Sequence, residues 1–138
     1  MSLSIGARAL DQLEEPAKVA IVGLFNTDDI EACLVRGVGP IAIGLQWRDG
    51  FELPDPMGVL HNNGKKLGGH AIVLTGIDRH RGVIRIANNQ GVLWGQAGRA
   101  WIGVHDLRAR MQDGFEAYSI LPMPTVAKTP AKIYGLPE

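Results

Sequence analysis

The sequence lacks most of the features that classify a chain quickly. It holds a single cysteine, Cys33, so no disulfide can close within it. A reducing compartment, or a particle assembled in the cytoplasm, is the expected setting. Neither sign of charge is in excess: 14 Lys and Arg face 14 Asp and Glu. No electrostatic footprint therefore points to nucleic acid or to an anionic membrane surface. Long hydrophobic runs are missing too. The longest, such as AIVLTGI, are strand-sized and far short of the roughly 20 residues of a bilayer span. The first residues, MSLSIGARALDQLEEP, carry acids and no apolar signal core, so export by a signal peptide is not expected.

What remains is the raw material of one ordinary domain. The 138 residues are 46% hydrophobic and 20% charged, enough apolar matter for a packed core. Leu3, Ala7, Leu10 and Leu13 fall at helical spacing, and Pro16 ends that helix, predicted over 3–14. AKVAIVGLF, residues 17–25, reads as a strand. DDIEACLVRG reads as a helix with Asp28 as cap, Glu31 three residues on, and Gly37 just past its end. In GPIAIGLQW the residues Ile41, Ile43, Leu45 and Trp47 alternate, which places them on one face of a strand.

Residues 48–67 are rich in Gly, Pro, Asn and Asp and read as a long surface excursion, the sort of loop that often carries function. Strands are expected at 70–77, 82–88 and about 99–104. HDLRARMQDG should make a short helix and FEAYSIL a last strand. From Pro122 onward four prolines and no periodicity indicate an extended tail, disordered or laid across a partner. The expected class is α+β: a curled antiparallel β-sheet with short flanking helices. The expected organisation is a domain over 1–121 followed by the tail, 122–138.

The stretch GGHAIVLTGID places His70 at the head of an apolar strand. With the hairpin centred on GID-RHR-GVI, and Gly76 opposite Gly82, paired numbers sum to 158 and His70 faces Asn88. Opposed side chains stand about 5 Å apart at Cβ; a bulge would bring in Asn89 instead. An amide oxygen accepting from a ring N–H would fix the imidazole tautomer and free the other nitrogen. Thiolate chemistry needs such a base and such an aiming group. On the pairing alone, a polar pair closing a strand end is the simpler reading.

Beyond Asn88 the chain runs NNQGVLWGQAGRAWIGV. Here it resembles the papain-like cysteine peptidases, over roughly residues 17 to 121. Their C-terminal half has a histidine before an apolar strand, a hairpin, then an Asn-Ser-Trp-Gly, Trp-Gly, Gly pattern. His70-Ala71, Asn88, Gly91, Trp94-Gly95 and Gly98 match it, and GPIAIGLQW is similar to the family's Gly-Pro-Val strand. The resemblance implies the barrel-like C-terminal half of the papain fold. It also implies that His70 corresponds to the catalytic base and Asn88 to the residue that orients it. Trp94, Gly95 and Gly98 would form the structural turn after them.

The departures shape the functional expectation. The family carries its nucleophilic cysteine in a preceding helical half. Only about sixteen residues stand before the first strand here, and none is cysteine. Where the family places a tryptophan that shields the His–Asn hydrogen bond, this chain has Gln90. Cys33 shares a helical stripe with Ile30 and Leu34, as a small core residue does. The four histidines, His61, His70, His80 and His105, show no ligand spacing, so no metal and no cofactor is expected. Gly91, Gly95 and Gly98 read as turn glycines. Trp47, Trp94 and Trp101 read as packing residues, and Lys65-Lys66 as a solvated loop tip.

The leading expectation is a catalytically inactive papain-like domain, a pseudoenzyme serving as a structural or interaction module. Its place would be a larger assembly, cytoplasmic or incorporated in a virion as a phage capsid or tail component. A protein partner or a second copy of the chain would cover the cleft face and the tail. Two alternatives stand beside it. His70 and Asn88 could complete a cysteine peptidase or transferase whose thiol lies on another chain. Or the cleft beside His70 could serve a binding or inhibitor domain.

Overall fold

The computed structural model describes residues 19–122; the expected helix over 3–14 and the tail from 123 on lie outside them. The body that carries the site is Ile21–Ile120. Its elements, in chain order, begin with β1 (Val19–Gly23), α1 (Thr27–Arg36) and β2 (Ile41–Arg48), then a 3-10 turn at Asp49–Phe51. They continue with β3 (Val59–Leu60), β4 (Lys66–Asp78), β5 (Val83–Ala87), β6 (Arg99–Gly103), α2 (Val104–Met111) and β7 (Phe115–Pro122). The strands form one open sheet in the order β1-β7-β2-β4-β5-β6-β3.

The α+β class is as expected; β7, β2, β4, β5 and β6 pair antiparallel in that order, and one short pair is parallel. Val59 and Leu60 of β3 lie alongside Trp101 and Ile102 of β6. That pair sits inside the stretch read as a bare excursion, which also holds the 3-10 turn and the first residues of β4. Loop composition hides a two-residue strand, because so short a strand has no periodicity to detect.

The core explains the register. Along β2 the alternation is strict: Ile41, Ile43, Leu45 and Trp47 are buried, and the residues between them are half-exposed. Each buried side chain contributes about 1.5–3 kcal/mol relative to exposure. A one-residue slip would therefore turn the whole stripe to solvent. Opposite it on β4, Leu74 pairs with Ile41, Ile72 with Ile43, and His70 with Leu45. α1 packs against β4, α2 against β2 and β6, and the two helices touch.

α1 is capped two residues earlier than Asp28. Asn26 is the N-cap, its Oδ1 accepting from the Asp29 N–H at 2.8 Å. The asparagine side chain reaches the third helical amide directly, which leaves Asp28 and Asp29 to face the positive end of the helix dipole. Gly37 ends the helix at φ 67°, the left-handed conformation that glycine adopts without strain.

Candidate functional site

His70 is the last member of the core-facing stripe Leu74, Ile72, His70 on β4. It lies within the strand rather than at its head, because β4 begins at Lys66. The hairpin arithmetic also needs correction. Asp78 pairs with Val83, Ile77 with Ile84 and Gly76 with Arg85. A bulge then shifts the register, so that Leu74 pairs with Ile86 and Val73 with Ala87. The turn is longer than RHR: Asp78 Oδ1 accepts from the Arg81 N–H at 3.1 Å, and Gly82 takes φ 67° within it. His70 and Asn88 are therefore not ladder partners, and the bulge does not substitute Asn89.

The two side chains meet nonetheless. His70 Nε2 lies 2.7 Å from Asn88 Oδ1. Asn88 follows the end of β5, and its backbone is held from the other side, the Asn88 N–H donating to the Gly98 carbonyl at 2.9 Å. The turn between them is built as the matched motif implies. Trp94 N–H donates to the Gly91 carbonyl and Gly98 N–H to the Trp94 carbonyl. Gly95 sits at φ 59°, where an added Cβ would come within 2.4 Å of the Arg99 carbonyl oxygen.

Asn88 Oδ1 also accepts from the Asn89 N–H at 2.8 Å. That second donor fixes which end of the amide is oxygen. Because the oxygen only accepts, the neutral imidazole carries its proton on Nε2 and keeps Nδ1 as a free base. Asn88 Nδ2 is buried without a protein partner.

Trp47 supplies a contact that sequence reasoning missed. It lies diagonal to His70 on the same face, because its own ladder partner is Gly68. The indole lies against the imidazole. The ring centroids are 4.6 Å apart and the planes cross at 60°. Phe51 and Trp94 close on Trp47 from other sides. Glu52 ties the group together: Trp47 Nε1–H donates to Glu52 Oε1 and Trp94 Nε1–H to the Glu52 carbonyl, both at 2.9 Å. The alternation on β2 identified Trp47 as inward-facing. Only the register against Gly68 reveals what it touches.

On the opposite face of the sheet, Gly44 stands beside Ala71 and Gln46 beside Gly69. Glycine at 44 and 69 and alanine at 71 help leave an open groove of about 580 Å³, lined also by Gln46 and Glu116 and reaching His70. Cys33 does not border it. It is partly buried on α1 against the core with Ile30 and Leu34, the packing position its stripe suggested. His61 pairs with Asp55 at 2.7 Å in the loop after the 3-10 turn, and His80 and His105 are exposed. Among the described residues no three His, Cys, Asp or Glu side chains are grouped to hold a metal. No described helix is long and apolar enough to cross a membrane.

Comparison with solved structures identifies the architecture. Xylellain, a cysteine protease from Xylella fastidiosa, superposes with a TM-score of 0.57 at 22% identity, over 79% of this chain and 40% of that one. The fold is papain-like. Procathepsin B S9 from Trypanosoma congolense matches at TM-score 0.54 and 18% identity, over 79% of this chain and 38% of its own. Procathepsin L2 from the larval midgut of Tenebrio molitor matches at 0.50 and 18%, over 82% and 36%. This chain thus spans 40% or less of each of these papain-like structures, and it corresponds to their C-terminal half. No family model and no curated protein matches it.

Proposed function

We propose that the chain supplies the base-bearing half of a papain-like thiol site, its thiol coming from outside residues 1–138. One observation carries this reading: His70 Nε2 is held at 2.7 Å by Asn88 Oδ1, with Asn88 anchored through the turn ending at Gly98. The pair thus leaves Nδ1 as the free nitrogen, the form a general base requires. Cys33 is the single cysteine of the chain and is partly buried against the core on α1, so this reading takes the nucleophile from elsewhere.

The decisive experiment is labelling of the native assembly with a thiol-directed covalent inhibitor. The expected result is one labelled cysteine, not Cys33, with labelling lost on His70→Ala. A structure of the assembly should place that sulfur about 3–4 Å from the His70 ring. An assembly in which no sulfur approaches His70, or labelling indifferent to His70→Ala, overturns the proposal.

A second reading has its own observation. Gln90, where the resemblance has a shielding tryptophan, is exposed, and Leu53, Met57, Val92 and Leu93 are each more than 70% exposed. Apolar exposure of this kind accompanies docking surfaces. On this reading the chain is a catalytically inactive structural or interaction module, for instance in a virion, covered by a protein partner or a second copy. Charged replacements at Leu53 and Leu93 that abolish assembly, while His70→Ala leaves both assembly and function intact, are the expected signature. A functional defect from His70→Ala alone rejects it.

A further inference from the structure

We propose that Trp47 is a positioning residue for His70, clamped by Glu52, and that it covers the His70–Asn88 hydrogen bond that Gln90 leaves open. This inference rests on the reading of His70 and Asn88 as a working pair, but its test does not require the missing thiol.

Three observations converge on Trp47. Its indole meets the imidazole edge-on at 4.6 Å, within the range where aromatic contacts favour defined geometries over free rotation. The ring is 3% exposed, so it excludes water from the side of His70 that it touches. Its N–H is bound to Glu52 Oε1, which removes the rotational freedom a buried indole otherwise keeps. Asn88 fixes one nitrogen of the imidazole, and a single hydrogen bond still allows the ring to swing about it. A second, apolar contact on the ring removes that freedom.

The clamp also gives the segment after β2 a role. Gly50 is pinned by its N–H to the Asn63 carbonyl at 3.0 Å, and Glu52 N–H closes the 3-10 turn onto the Asp49 carbonyl. These bonds hold Glu52 where its carboxylate meets Trp47 and its carbonyl meets Trp94. The turn thereby connects the surface segment to the imidazole through one indole.

The test uses histidine-selective 15N–1H NMR on the free chain, at a pH where His70 is neutral. The native protein should show the Nε2–H tautomer with a slowly exchanging ring proton. Trp47→Phe keeps an aromatic face but loses the bond to Glu52, and should retain the Nε2–H tautomer with only the small acceleration expected of Glu52→Ala. Trp47→Leu should accelerate exchange of the Nε2–H about tenfold or more and admit the second tautomer, while the backbone amides of Ile72 and Ile86 stay protected. Should Trp47→Leu not fold, Glu52→Ala leaves the core ring in place and should produce a smaller acceleration that Glu52→Gln does not. Unchanged imidazole exchange in the folded variants overturns the proposal. So does acceleration that merely follows the backbone amides, which marks a structural role only. Failure to find an external thiol would remove the proposed activity and leave this result untouched.

Discussion

His70 and Asn88 are hydrogen-bonded at 2.7 Å although they are not opposed on the β4–β5 ladder. The bond is made by a side chain reaching past the end of β5, to a residue fixed by a separate turn. It therefore depends on two structures rather than one, and each can be perturbed without the other.

Asn88→Ala removes the acceptor and leaves the β4–β5 ladder intact. A typical hydrogen bond contributes about 0.5–1.5 kcal/mol net, so the loss of stability should be about 1 kcal/mol. Loss of the Nε2–H preference should be the larger effect, because no other acceptor holds that nitrogen. Chemical denaturation and imidazole 15N shifts read the two effects separately. A native tautomer in Asn88→Ala would show that the amide does not orient the ring.

Gly95→Ala strikes the second structure. The residue sits at φ 59° and an added Cβ meets the Arg99 carbonyl oxygen. Left-handed backbone costs a non-glycine residue about 1–2 kcal/mol, and the clash adds to it, so a loss of about 2 kcal/mol or more is expected. Gly91→Ala is the control. It shares a positive φ, at 92°, but finds open space around the new methyl, and should cost less. Equal midpoints in denaturant for the two variants would contradict the packing argument.

The Asp55 loop should loosen in acid. The Val59 N–H, then the His61 ring, hold the Asp55 carboxyl below the ordinary carboxylate range. A lowered pKa means that Asp55 stabilises the loop above its unfolded value, about 3.9. That contribution is lost as pH falls through the lower, folded value. Amide exchange at Met57 and Val59, which donate to Asp55, should accelerate there. Asp55→Asn should remove the pH dependence while leaving the core amides unaffected.

Gly44→Val tests the groove. The position is strand, its φ is ordinary, and an added Cβ meets nothing within 4 Å. Stability should change by no more than about 0.5 kcal/mol, while the new side chain projects into the groove. A ligand or partner that enters the groove should bind at least several-fold more weakly, measured by calorimetry on the assembly components. A large loss of thermal stability instead would mean that the groove face is packed in the folded chain.

Several features were legible because they depend on local pattern. The alternation of Ile41, Ile43, Leu45 and Trp47, the glycines that end α1 and shape the 91–98 turn, and the helix at DDIEACLVRG can each be read from spacing alone. The separated His70, Asn88 and Trp94-Gly95 matches were enough to suggest the papain-like fold. Other features follow from pairings that no local pattern records. The bulge near Thr75 and the longer turn altered the register, so the expected ladder contact was wrong in its route while the contact itself exists. The cap moved to Asn26 because its side chain reaches the Asp29 amide directly, a detail of reach rather than of composition.

The sequence by itself determined the class of fold, the inward stripes and the identity of the two polar residues that meet, because hydrophobic burial and glycine conformation act residue by residue. Only the tertiary structure decided how His70 reaches Asn88, and that Trp47 and Glu52 stand behind it. Those contacts join residues on different strands and turns, and only the pairing of strands brings them together.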